Sequence, residues 1–527
     1  MSPASDELVS EGYAGAQPCA AASRPAAVAR MSLAEWLILA LAAAGLLGAC
    51  VLSASRRRFW TDEWLTYYPV ADSSFGHMLE ACADLINAAP PLYFVLGWGW
   101  AQVVGTDELS LRLFTSIGFV VGLVLLWRAL RLGFGAWPVG VGLLVATFDN
   151  VELVLHNSQA RFYGLYFAEI AVAITLLLRL GRPGASWGLF ALNALAHAAL
   201  VTTHYFGFVY SGALLFAALL AAPRPQRHTL LTVLSAILGW FAFVPWIGAF
   251  RTHQQFGGGN FWVPRPTLGD LPDGYAILGH AAWITAPLAV LAIVVWVAAR
   301  GRDAGAAQGA GEDPQRAVAR RQWTCIAIAF LLVPLGTWAL AQFGTSLFLA
   351  RYLFPSGIAY AVLVAWVVHW LLEKARGGGP VLTTIVKLPL GALALVHLLT
   401  PAYREWQQPL LEPLRDRDWK LPVAVESVHA FFTLAHYAPH RQQYVFVVDP
   451  EYKDRNVKVN AYQILDTFRR LYPELPVVTE EAFLSTHRRF LVLESNEQAW
   501  FNRRIQPRFQ CRASGNVPGL FLVTRRP

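Results

Sequence analysis

The stretch RRRFWTDEWL (residues 56–65) follows directly on the apolar run LAEWLILALAAAGLLGACVL (residues 33–52). A helix needs about 20 predominantly apolar residues to cross the hydrocarbon core of a bilayer, so this run is long enough to span a membrane. Positive charge beside a span is commonly a topology signal, and this first interpretation would cover the three arginines only. Asp62 and Glu63, which stand between tryptophans, need another explanation.

Composition places the chain among polytopic membrane proteins. Of its 527 residues, 56% are hydrophobic and only 14% are charged, whereas a soluble chain carries about 25% charged residues. Further apolar runs occupy residues 117–126, 230–244 and 326–340. The net charge of +8 comes from basic residues in short loops, which is a topology signal and does not indicate a nucleic-acid partner. The five cysteines show no paired spacing that would predict a metal knuckle or a disulfide framework.

We predict three regions. Residues 1–31 are rich in Ala, Ser and Pro and are expected to form a disordered cytoplasmic leader. Residues 32–400 are expected to form a transmembrane domain of about eleven spanning helices, and residues 401–527 a soluble α/β domain, because short β-like runs alternate there with helical stretches. The predicted spans lie near residues 32–53, 110–131, 137–155, 162–180, 187–203, 206–222, 229–250, 281–299, 323–342, 353–373 and 381–400.

The positive-inside rule gives these spans one consistent orientation. It places the amino terminus in the cytoplasm and the C-terminal domain outside an inner (plasma) membrane that the chain crosses many times. Residues 90–104 are apolar but too short for a comfortable span, so we expect an outer juxtamembrane or re-entrant helix there. Arg56, Arg57 and Arg58 then form a basic cluster on the outer side, against the rule.

Polar residues gather at the ends of the helices that this orientation places outside. They belong to the first loop and to HNSQARFYG (residues 156–164), THYFG (203–207), GGGNFW (257–262) and ARYLFP (350–355). An ion-coupled transporter tends to keep ionisable groups near the membrane midplane, where this chain has almost none. The pattern favours chemistry on a molecule in the outer leaflet. A plainer interpretation of Arg161 and Arg351 is that they reach the interface as snorkelling side chains.

Five motifs occur in a particular order: the early acidic pair, PPLYF (residues 90–94), ELSLRLF (108–114), SQARFYGL (158–165) and RYLFP (351–355). This order resembles the membrane-embedded glycosyltransferases of the superfamily that includes dolichyl- or polyprenyl-phosphate-mannose protein mannosyltransferases and aminoarabinose transferases. These enzymes have the GT-C fold, and the chain is most similar to the bacterial family 39-type members, over residues 32–400. The chain departs from the pattern at Ala88 and Ala89, where the family often has His or Lys before the Pro-Pro pair.

The resemblance implies that a polyprenyl-phosphate-linked sugar is transferred to an acceptor hydroxyl outside the membrane. A phosphate leaving group needs cations, and the guanidinium fork of arginine binds phosphate oxygens at two points. The phosphate-binding residues expected on this basis are Arg161, Arg351, His204, Tyr205 and Arg58. The acceptor hydroxyl needs a base, for which we expect Asp62, with Glu63 beside it positioning the acceptor. Direct displacement inverts the anomeric centre.

Other side chains are candidates for substrate contact: His156, Tyr352 and Trp262, with Trp60 and Trp64 as further stacking residues. A divalent cation at Asp62 and Glu63 is possible, but two acids are too few ligands to assign a metal. Two other functions stay open: a transporter or flippase of lipid-linked sugars, and a binding protein with the same fold. The sequence leaves the sugar and the acceptor (glycan, lipid or protein) undetermined.

Overall fold

The computed structural model describes most of the chain: residues 31–181, 185–222, 227–257, 263–275, 313–344, 346–377, 379–399, 421–449, 451, 461–495, 500–514 and 517–526. The predicted leader apart from Met31, the predicted span at residues 281–299 and Trp262 lie outside the described residues, as do residues 400–420, where the two predicted domains meet.

The described residues before position 400 form helices. They are α1 (Leu33–Arg56), α2 (Thr61–Val70), α3 (Phe75–Ala83), α4 (Leu92–Val104), α5 (Glu108–Leu130), α6 (Ala136–Phe148), α7 (Val151–Asn157), α8 (Tyr163–Leu180), α9 (Trp187–Thr203), α10 (Phe206–Ala221), α11 (Arg227–Trp240), α12 (Ile247–Gly257), α13 (Pro314–Ala341), α14 (Ala350–Leu353), α15 (Gly357–Gly377) and α16 (Pro380–Leu399). Short 3₁₀ segments at Phe241–Trp246, Leu268–Tyr275 and Phe354–Ser356 join some of them.

The prediction of a multi-pass membrane protein is confirmed. Within the described residues, seven helical stretches are long and apolar enough to cross a bilayer, and a bent pair makes an eighth. Each predicted span, apart from the undescribed residues 281–299, falls on a helix. Helices α9 and α10 have 17 and 16 residues, so they are short for a full crossing. Residues 90–104, which were expected to form a short helix, contain the 13-residue α4.

The span predicted at residues 137–155 is broken in two. Helices α6 and α7 meet at an angle of 72°, and Asn150 lies at the break. Its side-chain oxygen caps α7 by accepting from the Leu153 amide at 3.0 Å, while its Nδ2 donates to the Phe354 carbonyl at 3.1 Å. An N-cap residue has non-helical backbone angles, and Asn150 is extended (φ −79°, ψ 98°), so α7 leaves the line of α6. Residues 158–162 therefore lie among α1, α5 and α8.

The C-terminal residues form an α/β domain, as predicted. Its elements are β1 (Val423–Val425), α17 (Val428–Tyr437), β2 (Tyr444–Val448), α18 (Ala461–Leu471), β3 (Val477–Thr479), α19 (Glu480–Thr486), β4 (Arg489–Leu493), β5 (Phe509–Ala513) and β6 (Leu520–Arg525). The strand order is β3-β2-β1-β4-β6-β5. Strands β1 to β4 are parallel, and β6 pairs in antiparallel fashion with both β4 and β5. Helices α17 and α18 pack against α2 through aromatic side chains such as Phe432 and Phe468.

Helices α5 and α8 cross with their backbones in contact at two glycines. A Cβ atom added to Gly164 would lie 1.8 Å from the Thr115 carbonyl oxygen, and one added to Gly118 would lie 2.4 Å from the Gly164 carbonyl carbon. Because backbone atoms cannot move aside as a side chain can, this crossing requires glycine at both positions. It brings Thr115 of α5 beside the residues that precede α8.

We predict that Gly164→Ala lowers the thermal midpoint of the purified protein in detergent, because it forces the two backbones apart. Overpacking of this kind typically costs about 1–3 kcal/mol. Gly212→Ala in α10 is the matched control, since a Cβ there meets no atom within 4 Å. Equal midpoints for the two variants in differential scanning fluorimetry would contradict the predicted close approach of α5 and α8.

Candidate active site

The site is organised by a buried ion pair between Glu63 of α2 and Arg112 of α5. The Arg112 guanidinium donates to both carboxylate oxygens, with Nε–Oε1 and Nη2–Oε2 distances of 2.8 Å each. Both side chains are almost fully buried, at 1% and 2% exposure. Glu63 also accepts from the backbone amides of Ala160 at 2.8 Å and Trp60 at 3.2 Å. Four donors therefore surround its carboxylate.

Arg112 uses its remaining donors on the backbone that follows α1. Nη1 donates to the Arg57 carbonyl and Nη2 to the Arg58 carbonyl, at 2.8 and 2.9 Å. The ion pair thus joins the end of α1, the start of α2, α5 and the segment before α8. We interpret Glu63 as the residue that holds these segments together.

Asp62, the neighbour of Glu63, points to a different partner. Its Oδ2 lies 3.2 Å from Nη1 of Arg351 on α14, and the two side chains are 23% and 20% exposed. The backbone carbonyl of Asp62 accepts from Nη1 of Arg161 at 2.8 Å. The carboxylate of Asp62 therefore lies at an accessible position with guanidinium groups nearby.

Arg161 is held firmly from two sides. Its backbone N–H and carbonyl both bond to the Thr115 hydroxyl, at 3.2 and 2.7 Å, and its Nη1 also lies 3.2 Å from the Thr66 hydroxyl. The residue is buried, and its Nε has no hydrogen-bond partner among the described residues. Its guanidinium carbon lies 4.9 Å from the Phe162 ring centroid. A buried N–H without a partner is a donor available to a bound anion.

His204 packs against the aromatic residues that follow the two arginines in the chain. Its ring centroid is 4.5 Å from that of Phe162 and 5.1 Å from that of Tyr352. Burial lowers the pKa of His204 to about 3, and the positive charges of Arg161 and Arg351 act in the same direction. Nδ1 of the neutral ring accepts a hydrogen bond from the Phe206 amide, at 3.2 Å. The proton of the ring is therefore on Nε2.

The structure therefore brings together Asp62, Arg161, His204, Arg351 and Tyr352 of the sequence-predicted residues. Glu63 lies beside them in the buried ion pair, and the remaining described candidates have other partners. His156 is buried, with one ring nitrogen 2.7 Å from Gln159 Oε1 and the other 3.1 Å from Glu152 Oε2.

Tyr205 and Arg58 face other neighbours. The Tyr205 hydroxyl is bonded to Nδ1 of His253 at 2.7 Å, in a cluster formed with α12. The guanidinium carbon of Arg58 lies 4.7 Å from the centre of the Tyr437 ring in the C-terminal domain. Trp64, a candidate for stacking, is fully buried against that same domain. Trp262 lies outside the described residues.

Two further residues were not singled out from the sequence. Arg112 stands in the ELSLRLF motif, and a charge inside an otherwise apolar helix was the available signal. Thr66 follows Asp62 by one helical turn, and a lone threonine carries no recognisable signal. In the part of the chain that the structure describes, no group of three or more His, Cys, Asp or Glu side chains is arranged to hold a metal ion.

The fold matches that of a solved structure. A crystal structure of ArnT from Cupriavidus metallidurans bound to undecaprenyl phosphate aligns with a TM-score of 0.54 and 13% identity, over 93% of this chain and 98% of that one. This chain has the GT-C fold. The apo-state crystal structure of the same ArnT aligns over the same shares of both chains with a TM-score of 0.45 and 13% identity. No protein-family model matches the chain, and a comparison with curated proteins finds no match.

Within this GT-C fold, the Glu63–Arg112 pair yields a prediction about stability. Removing one partner of a buried ion pair leaves a buried charge and typically costs about 3–5 kcal/mol. We expect Glu63→Met to lower the thermal midpoint strongly, and Asp62→Asn, at the accessible pair, to change it little.

The double variant Glu63→Met/Arg112→Met removes both charges. It is expected to be less destabilised than the sum of its two single variants, because neither charge is left unpaired. Thermal midpoints and size-exclusion profiles of all four variants measure this. Additive losses would show that the two side chains are not coupled.

Proposed function

We propose that the protein is an integral-membrane glycosyltransferase. It transfers a sugar from a polyprenyl-phosphate-linked donor to an acceptor hydroxyl at the extracytoplasmic face, with inversion of the anomeric centre. The amino terminus is cytoplasmic, and the C-terminal domain is outside. The observation that carries the proposal is the accessible Asp62–Arg351 pair, with Arg161 and neutral His204 beside it, in a fold shared with an ArnT that binds undecaprenyl phosphate.

The cations suit the phosphate of such a donor. Arg351 reaches the accessible side of the site, while the Nε of Arg161 and the Nε2–H of His204 are donors from the buried side. Guanidinium groups in a site that excludes water bind phosphate oxygens strongly. As the bond between the sugar and the phosphate breaks, charge accumulates on the phosphate, and preorganised donors stabilise that charge.

Asp62 is the proposed base. The donor phosphate competes with the Asp62 carboxylate for Arg351, so donor binding frees the carboxylate to accept a proton. The acceptor oxygen then forms a bond to the anomeric carbon while its proton passes to Asp62. The bonding electron pair of the carbon–oxygen bond leaves with the polyprenyl phosphate. Because the leaving group is an anion that needs no proton, one base and several cations suffice.

Glu63 has a different role from the one expected from sequence. Its carboxylate is buried and accepts four hydrogen bonds, so we propose that it orients α2 rather than contacting the acceptor. Tyr352, next to Arg351, is the proposed contact for the donor sugar, because its ring lies beside the His204 ring at the accessible pair.

We propose that the part of the lipid next to the phosphate enters an apolar pocket formed by residues that follow Arg351 in the chain. The pocket is lined almost wholly by apolar atoms, and its lining includes Leu353 and Phe354. Leu331 of α13 and Leu363 of α15 also line it, and Leu363 is exposed on the surface.

We predict that Asp62→Asn lowers kcat by about 10²–10⁴-fold, the usual contribution of a general base. Donor binding should not weaken, because the neutral amide no longer competes with the donor phosphate for Arg351. The assay uses the full-length protein in nanodiscs, radiolabelled polyprenyl-phosphate hexoses and a cell-envelope extract as acceptor. Asp273→Asn is the control, since Asp273 is an exposed acid in a 3₁₀ segment remote from α2 in sequence.

The outcomes separate the alternatives. Transfer by the wild type and by Asp273→Asn, but not by Asp62→Asn, supports the proposal. Equal transfer by all three proteins would remove Asp62 as the base. Absence of transfer by the wild type across several donors, with movement of the donor between leaflets, would favour a flippase.

A binding measurement tests the phosphate site without catalysis. We expect Arg351→Gln to weaken undecaprenyl phosphate binding by about tenfold or more, since a hydrogen bond between charged groups contributes about 1.5–3 kcal/mol. Arg265→Gln is the matched control, because Arg265 is an exposed arginine outside the helices that form the site. Undecaprenol, which lacks the phosphate, should bind both variants equally. Equal loss for both lipids would assign Arg351 to the lipid chain instead.

A further inference from the structure

The C-terminal domain packs directly on the helix that carries Asp62. One stripe of α2, formed by Thr61, Trp64 and Tyr68, faces α17 and α18. Trp64 is completely buried there, with its ring centroid 4.6 Å from that of His436 and 6.4 Å from that of Phe432. These three positions are three and four residues apart and therefore share one helix face. The domain therefore covers one face of α2.

At the end of α17, Tyr437 reaches beyond α2 to the segment that precedes it. Its hydroxyl accepts from the Phe59 amide at 3.2 Å and donates to the Glu108 carboxylate. The Arg58 guanidinium lies over its ring. Burial, and to a smaller extent the bond to Glu108, raise the pKa of Tyr437, so the hydroxyl stays protonated and remains a donor.

These contacts adjoin the Glu63–Arg112 pair. Glu108 precedes Arg112 by one turn of α5, and the carbonyl of Arg58 accepts from Arg112 at 2.9 Å. Tyr437 therefore binds, from the C-terminal domain, two of the segments that the buried ion pair joins: the connection between α1 and α2, and α5. A displacement of this tyrosine would act on the start of α2, where Asp62 lies.

We propose that Tyr437 is a positioning residue for transfer: through Phe59 and Glu108 it fixes the start of α2, and with it the distance from Asp62 to Arg351. The inference rests on the proposed function and assigns the C-terminal domain a part in forming the active site. In this role Tyr437 acts through the start of α2 and not as a group that takes part in the transfer itself.

The same interface contains a matched control. The Tyr472 hydroxyl also donates to a carboxylate of the transmembrane domain, that of Asp72, at 3.1 Å. Asp72 lies beyond the far end of α2 and is paired with His77 rather than with residues of the site. Both tyrosines thus join the two domains, and only Tyr437 is linked to the segment that begins α2.

The experiment compares Tyr437→Phe and Tyr472→Phe in the full-length protein in nanodiscs. We expect Tyr437→Phe to lower kcat by roughly tenfold or more with an unchanged KM for the lipid donor, since a misplacement of about 1 Å can cost about 10²-fold. Tyr472→Phe should retain wild-type kcat. Glu108→Gln, which keeps an oxygen that accepts from Tyr437, should stay close to wild type, whereas Glu108→Ala should match Tyr437→Phe.

Hydrogen exchange gives a readout that does not depend on activity. In Tyr437→Phe the Phe59 amide loses its acceptor, so peptides covering residues 56–66 should exchange faster, while in Tyr472→Phe they should not. Equal kcat losses in the two variants would show general docking of the domain and overturn the inference. Unchanged kcat in Tyr437→Phe would also overturn it. If the wild type transfers no sugar, the proposed function fails by itself, and unchanged exchange at Phe59 then overturns the positioning role.

Discussion

The buried ion pair between Glu63 and Arg112 is the constraint on which the site depends. Two charges taken out of water lose several kcal/mol of hydration each, and they recover it only when every donor and acceptor is matched. Here the matching groups are backbone atoms of two segments: the Arg57 and Arg58 carbonyls and the Trp60 amide between α1 and α2, and the Ala160 amide before α8. Because the pair is satisfied only when these segments meet, its formation and the correct arrangement of the site are one event.

The same burial shapes the electrostatics of the proposed phosphate site. Arg161 and His204 lie out of water, whereas Arg351 and Asp62 are partly exposed. A cation in a region of low dielectric attracts an anion much more strongly than one in water does. His204 avoids adding a third charge by staying neutral, and it still offers a hydrogen-bond donor. The site is therefore positive enough to hold a phosphate and has one carboxylate at its accessible side.

Much of this was predictable from the sequence, and the limits have physical reasons. Apolar runs predicted the helices because length and composition alone decide whether a segment crosses a bilayer. The motifs indicated Asp62, Arg161 and Arg351, since charged residues at helix ends are few in such a chain. The direction of each side chain was not predictable: Tyr205 follows His204 directly, yet it faces His253. The break at Asn150 was not predictable either, because one capping side chain starts a new helix within a run of mostly apolar residues.

The stretch TDEW also explains why opposite charges are concentrated where α1 ends. Successive residues of a helix point about 100° apart, so four consecutive side chains meet four different surroundings. Their partners are His429 for Thr61, Arg351 for Asp62, Arg112 for Glu63 and the α17 aromatic residues for Trp64. One turn of helix thus touches the C-terminal domain, the accessible pair and the buried ion pair. The adjacent carboxylates differ in burial because Asp62 points to a partly exposed arginine and Glu63 to a buried one, and that difference separates the proposed base from the residue that holds it in place.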